Sequence, residues 1–287
     1  MEKILITGSN GLLGKHLLKS LNKQNYKIIK FKRKNNLNLT DYNFCKKFLN
    51  NNRFNYIINL SAITDIDLCE KNKKFAKDIN YKIVKNICTN IADYKLNTFL
   101  IQFSTDQFYS KYKKNFENVS NCKNFYTKTK LLAEKECSKV NAIVLRTNFF
   151  GKSLTKNRIS FTDWIFYNLK RKKKINVADD IMFSPLSIFT ICKLINKIIK
   201  HKYKGVFNIG SKNGYSKYEF AIKFAKKLDL NVNLINRVKC KDIKFFAKRN
   251  KDMRMKTSKF EKKFIHNFKD LDFEIKKVIS EYKTINV

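Results

Sequence analysis

A doubly wound α/β fold, a parallel sheet with helices on both faces, is predicted by three features of this 287-residue chain. Short apolar runs alternate with stretches of helical periodicity over residues 1–150. The first run, Ile4-Leu5-Ile6, passes straight into the glycine-spaced turn Gly8-Ser9-Asn10-Gly11-Leu12-Leu13-Gly14. Beyond Gly151 the regularity weakens, as a smaller second lobe would make it.

The elements follow in order. After the first strand, Leu12, Leu13, Leu17, Leu18 and Leu21 share one face of a helix. Residues 26–31 and 56–60 read as the second and third strands, with a helical stretch at 44–49 between them. Helical periodicity resumes across 75–92, a fourth strand covers 98–103, a helix 131–138 and a fifth strand 142–145. Strands joined through helices are crossover connections, so neighbouring strands run parallel. Later helices are expected at 162–169, 189–200 and 217–227, with a late strand at 206–209. The chain thus divides into a dinucleotide-binding unit over 1–150, completed by about 176–200, and a partly interleaved substrate-binding α/β lobe over 151–287.

The net charge of +39 invites a nucleic-acid reading, and Lys170-Arg171-Lys172-Lys173-Lys174 is a run of the right kind. The excess is nearly all lysine, however, and is spread along the chain. It comes with abundant Asn, Ile, Phe and Tyr, against seven Gly and one Pro. A drift in base composition accounts for that whole profile, so no nucleic-acid partner is expected. The drift also makes each surviving glycine more informative, and three of the seven lie within the first fourteen residues.

Seven cysteines, odd in number and never spaced Cys-x-x-Cys, fit reduced thiols better than a disulfide framework. His16, His201 and His266 lie far apart in sequence, so no metal site is expected. No apolar run approaches the roughly 18 residues of a membrane helix. The first apolar stretch is too short for a signal peptide, and a cytoplasmic protein without a membrane partner is the expectation.

In the opening turn, Gly8 permits the tight bend, Gly11 admits a pyrophosphate close to the backbone, and Gly14 lets helix pack on strand. The helix N-terminus then offers free N–H groups to the phosphates. The sheet is therefore of Rossmann type. The second strand ends without an acidic residue for a ribose hydroxyl and runs into Lys32-Arg33-Lys34. Arg33 suits a 2′-phosphate there, which favours NADP(H) over NAD(H).

The fourth strand ends in Ser104-Thr105-Asp106, and Tyr126-Thr127-Lys128-Thr129-Lys130 then opens a helix. Spacing of i, i+4 puts Tyr126 and Lys130 on one face, where the ammonium can lower the phenol pKa for proton transfer. Thr105 is placed to hydrogen-bond the reacting oxygen.

With these motifs in this order, the chain resembles the extended short-chain dehydrogenases/reductases that act on nucleotide sugars, and most of all the dTDP-4-dehydrorhamnose reductase family. Further stretches carry the likeness: Asn38-Leu39-Thr40-Asp41, Asn59-Leu60-Ser61-Ala62-Ile63-Thr64, Leu145-Arg146-Thr147, Ser184-Pro185, and Arg254 with Thr257-Ser258-Lys259. The resemblance implies NAD(P)H-dependent reduction at C4 of a nucleotide-linked 4-keto-6-deoxy sugar. Tyr126 would be the proton donor, Lys130 would set its pKa and hold the nicotinamide ribose, and Thr105 would steady the oxygen. Asn10, Gly11 and Leu12 would touch the cofactor at the turn, Asn38 and Leu39 its adenine, and Leu60, Ser61 and Ala62 its nicotinamide half. Thr105, Asp106 and Phe149 would face the sugar, with Arg249 and Arg254 on the nucleotide diphosphate.

Three departures bear on the substrate pocket. Asn38 stands where the family often has Asp, Asn250 follows Arg249 where it often has Pro, and the stretch from Thr105 to Tyr126 is slightly short. A dehydratase would carry Glu after Asp106, and this chain has Gln107. A sugar-nucleotide epimerase shares the Tyr and Lys and stays open as an alternative. So does a non-catalytic NADP-binding regulatory subunit, although Thr105, Tyr126 and Lys130 weigh against it. Members of the superfamily often pair through helices, and a homodimer is compatible with the sequence.

Overall fold

Strands buried on both faces need apolar residues at successive positions, because neighbouring side chains point to opposite sides. The computed structural model describes residues 1–21, 24–31, 38–110, 115–155 and 158–284 and meets this expectation. The chain begins β1 (Glu2–Thr7), α1 (Leu12–Ser20), β2 (Tyr26–Lys30), α2 (Tyr42–Asn52) and β3 (Tyr56–Asn59). It continues α3 (Ile66–Lys71), α4 (Lys73–Lys77), a π turn over Asp78–Lys82, and α5 (Ile83–Asp93). Then come β4 (Phe99–Phe103), α6 (Phe125–Cys137) and β5 (Ala142–Arg146). Ile4 and Ile6 face one side of the sheet with Leu13 and Leu17 of α1. Leu5 faces the other, with Leu49 of α2 and Ile87 of α5.

Beyond β5 the chain runs β6 (Phe149–Phe150), α7 (Phe161–Lys170), β7 (Ile175–Ala178), β8 (Met182–Phe183), β9 (Leu186–Ser187) and α8 (Ile188–His201). It ends β10 (Gly205–Asn208), β11 (Tyr215–Ser216), α9 (Lys217–Lys226), β12 (Ile235–Val238), α10 (Ser258–Phe264) and α11 (Leu271–Lys283). The six-stranded sheet has the order β2-β1-β3-β4-β5-β10, every pair parallel. The connections reverse direction between β1 and β3, and that reversal opens a crevice at the carboxyl ends of the strands.

The apolar cores do not follow the order of the chain. α8 and β10 return to the sheet, and Phe260 and Phe264 of α10 close over β10. Strand completion therefore falls at Gly205–Asn208, past the window of about 176–200 expected from sequence. A second core gathers Phe166, Phe220, Phe224, Ile275 and Tyr282 from α7, α9 and α11. The helix α11 is absent from the sequence expectation, because lysines and acidic residues mask its buried face. Leu271, Ile275, Val278, Ile279 and Tyr282 nonetheless keep helical spacing. No helix among the described residues is long and apolar enough to cross a membrane.

One buried ion pair ties sheet to helix beneath the crevice. Arg146, the last residue of β5, meets Glu134 of α6 at 2.7 Å, with both side chains about 95 % buried at 4 % and 5 % exposure. Ser104 donates to the same carboxylate at 2.5 Å. The other Arg146 nitrogen donates to Tyr109, to the Glu117 carbonyl and to the Val119 carbonyl at 2.8–3.0 Å. Arg146→Met leaves Glu134 buried without its partner, which is expected to cost roughly 3–5 kcal/mol. Urea denaturation reads this as a lower midpoint, and an unchanged midpoint would contradict it.

Candidate active site

The opening turn is built as a cradle. Gly11 donates its N–H to the Gly8 carbonyl at 2.9 Å. Gly8 holds φ at +61°, and a Cβ there would stand 2.6 Å from the Leu60 carbonyl carbon. At Gly14 a Cβ would stand 2.6 Å from the Gly8 oxygen, so both positions require glycine. Gly11 occupies the N-cap of α1 and supplies no side-chain cap, which leaves first-turn N–H groups open to an anion. The residues present fit a dinucleotide pyrophosphate.

From this turn a cleft of about 300 Å³ runs along the strand ends. Gly8, Gly11, Leu12 and Gly14 line one end, Leu60, Ser61 and Ala62 the middle, and Thr105, Asp106, Tyr126, Lys130 and Phe149 the other. A row of buried polar side chains fixes its floor. Thr7 donates to Asn59 at 2.5 Å, Asn59 to Gln102 at 2.7 Å, and Gln102 to the Phe103 carbonyl at 2.8 Å. The ends of β1, β3 and β4 are thereby held in register.

Asn124 caps α6, accepting from the Thr127 N–H at 2.9 Å, and so sets Tyr126 and Lys130 in the first two turns. The phenol of Tyr126 is buried, which pushes its pKa above the usual tyrosine range. A hydrogen bond from Thr105 pulls it back, and the Asp106 charge raises it further. Thr105 accepts from the Gln107 N–H at 3.1 Å, which holds its hydroxyl at the end of β4. Burial pushes the Lys130 pKa down to about 8, against the pull of Glu134. Its ammonium donates to the Phe103 carbonyl at 2.6 Å. In this structure Thr105 is the neighbour that draws the phenol pKa down, while the Lys130 ammonium rests on the Phe103 carbonyl at the end of β4.

Other expected residues are not among those lining this cleft. Asn10 is exposed, its carbonyl accepting from Thr155 at 2.9 Å. Leu39 is fully buried against α5, and Asn38 caps a local turn through the Thr40 N–H at 3.1 Å. Arg249 pairs with Asp67 of α3 at 2.9 Å, which ties the late loop to the crevice rim. Arg254 is gripped by Asp252 at 2.9 and 2.5 Å and lines a separate cavity with Ser184 and Ser211. Arg33 lies outside the described residues. No cluster of His, Cys, Asp and Glu able to hold a metal occurs among the described residues.

Set beside known proteins, residues 1–284 match the family described as RmlD substrate binding domain. The chain belongs to that family. It is similar to dTDP-4-dehydrorhamnose reductase from Aggregatibacter actinomycetemcomitans, 24% identical over 271 residues, 87% of this chain and 88% of that one. A solved structure of dTDP-4-dehydrorhamnose reductase from Bacillus anthracis, in complex with NADP, superimposes with a TM-score of 0.90 at 23% identity, over 98% of this chain and 99% of that one. The chain is also similar to methionine adenosyltransferase 2 subunit beta from Bos taurus, 24% identical over 80% of this chain and 73% of that one.

In this RmlD-family chain two site residues escape the sequence motifs. Arg158 brings a guanidinium nitrogen to 3.0 Å from where a Cβ on Gly11 would stand, so a cation overhangs the glycine turn. Its rarity in a chain poor in arginine is the only sequence signal for it. Asn80, in the π turn, accepts from the Ile63 N–H at 2.7 Å and donates to Thr129 of α6 at 3.2 Å. It pins the loop after β3 to the helix carrying Tyr126.

Asp106 makes one pH-dependent outcome explicit. Burial raises its pKa to about 6, with Asn148 donating at 3.0 Å and the Lys217 charge acting against the rise. The folded pKa exceeds the unfolded one, so stability from Asp106 is present below about pH 4 and lost as pH rises through about 6. Asp106→Asn is therefore expected to gain on the wild type by roughly 1–3 kcal/mol between pH 4 and pH 7. Urea denaturation across that range measures the difference, and a gap that does not change with pH would contradict it.

Proposed function

We propose that the protein is an NAD(P)H-dependent reductase of a nucleoside-diphosphate 4-keto-6-deoxy sugar, with NADPH favoured. The observation that carries this reading is the single cleft joining the glycine cradle to Thr105, Tyr126 and Lys130. When bound, the reduced nicotinamide supplies a hydride for C4 of the sugar.

The chain's own groups handle the proton. Burial keeps the Tyr126 phenol protonated at neutral pH, which is the form a proton donor needs. Thr105 sits beside the phenol and can give its own proton to the oxygen that gains charge at C4. As Tyr126 releases its proton to that oxygen, the Lys130 charge steadies the phenolate left behind. Lys130 spends one donor on the Phe103 carbonyl, and two remain for a ribose hydroxyl and the phenol.

A second reading, a non-catalytic NADP-binding subunit, is favoured by the likeness to a methionine adenosyltransferase subunit. One experiment separates them. The protein is mixed with NADPH and dTDP-4-keto-6-deoxy sugars, and loss of the reduced-cofactor absorbance is followed. Turnover is expected, with Tyr126→Phe slowing it by roughly 10²–10⁴-fold while NADPH still binds. NADPH binding without turnover on any such sugar would favour the subunit reading and overturn the reductase.

A further inference from the structure

The chain passes from β6 to α7 beside the glycine turn, and Ser153, Arg158 and Ser160 line the cleft there. This passage is fastened at several points. His16 of α1 donates to the Lys152 carbonyl at 2.8 Å, and the Thr155 hydroxyl donates to the Asn10 carbonyl at 2.9 Å. The N–H groups of Ser153 and Ser160 both donate to the Asp163 carboxylate of α7, at 3.0 and 2.9 Å. The Arg158 N–H reaches the Thr155 carbonyl at 3.2 Å. The backbone that carries Arg158 is thus tied both to the glycine turn and to α7.

From that backbone the Arg158 side chain reaches back over the turn. One guanidinium nitrogen stands 3.0 Å from where a Cβ on Gly11 would lie, and the other is 3.5 Å from the Thr64 hydroxyl, beyond β3. Arg146, Arg237, Arg249 and Arg254 each pair with a carboxylate, whereas Arg158 forms no such pair among the described residues. Helix α1 beneath it has no acidic residue in its first turn and no side-chain cap at Gly11. A guanidinium and open helix N–H groups therefore border one space, with no counter-charge between them among the described residues. A diphosphate, with oxygen acceptors on several sides, suits donors that converge in this way. The direction of reach separates the two phosphate positions of a dinucleotide. β1 lies between β2 and β3 in the sheet; a ribose 2′-phosphate is read at the end of β2, and Thr64 lies on the β3 side.

We propose that Arg158 is a cofactor-binding residue, its guanidinium holding the diphosphate of the dinucleotide against the N-terminus of α1. This assignment rests on the cofactor reading above. It gives the chain beyond β6 a direct part in cofactor affinity, and it assigns Arg158 no part in choosing between NADPH and NADH.

Calorimetric titration at low ionic strength with NADPH, NADH and ADP-ribose in turn tests it, since all three carry the diphosphate and only NADPH carries the 2′-phosphate. Arg158→Met is expected to weaken all three by a similar factor, roughly tenfold. Arg158→Lys, which keeps the charge and loses the planar fork, is expected to recover part of the loss. Arg158 is exposed, so the difference from wild type is expected to narrow at high salt. Arg171→Met, at another exposed arginine, controls for the high net charge and is expected to change nothing. Unchanged affinities in Arg158→Met would overturn the assignment. A loss for NADPH alone would also overturn it, by placing the guanidinium on the 2′-phosphate, and an equal loss in Arg171→Met would trace the effect to overall charge. Failure of the wild type to bind any of the three would instead sink the cofactor reading on which the assignment stands.

Discussion

Glu134 and Arg146 meet beneath the cleft, where neither charge has water, and each free valence of the pair is taken by a segment that borders the site. Two charges in such a place are stable only when paired and fully hydrogen-bonded. Ser104 supplies one bond, and its neighbour Thr105 touches the phenol. Glu134 lies on α6, one turn beyond Lys130 and two beyond Tyr126. Tyr109, on the other side of Arg146, donates to Asn208 at the end of β10 at 2.6 Å, and Asn208 holds the Asn115 and Lys256 carbonyls at 3.1 Å. The same pair thus aligns helix, strand end and late loop, and the relative placing of Thr105, Tyr126 and Lys130 depends on it.

Much of the fold was legible because burial on both faces leaves an unmistakable pattern. Ile4, Leu5 and Ile6 could only be a buried strand once Gly8 followed them, and the turn at Gly8, Gly11 and Gly14 has the geometry its spacing requires. That Tyr126 and Lys130 share the opening turns of one helix was legible from spacing alone. Their electrostatics were not, because pKa values depend on burial and on partners distant in sequence. Phe103 and Thr105 lie over twenty residues before Tyr126. The late arginines illustrate the same limit. Arg249 and Arg254 looked equivalent as phosphate ligands, yet Asp67 and Asp252 direct them to different places.

Composition obscured other features. With 62 Lys and Arg among 287 residues, a lysine in a functional position carries almost no sequence signal. Asn80 was equally silent, since the drift that multiplies lysine multiplies asparagine. The rare residues kept their meaning. Glycine survives where a Cβ would strike the backbone, and Arg146 and Arg158 survive at the floor and roof of the cleft.

The central claim is that cofactor cradle and proton donor serve one ketone carbon in one cleft. Its most direct measurement is isotopic. The protein is supplied with NADPH carrying deuterium on either face of the nicotinamide C4, together with a dTDP-4-keto-6-deoxy sugar, and the product is examined by NMR. Deuterium from one face only, appearing at C4 of the sugar and nowhere else, is the expected result. Consumption of the ketone with no deuterium at C4, or with label from both faces alike, would contradict the account.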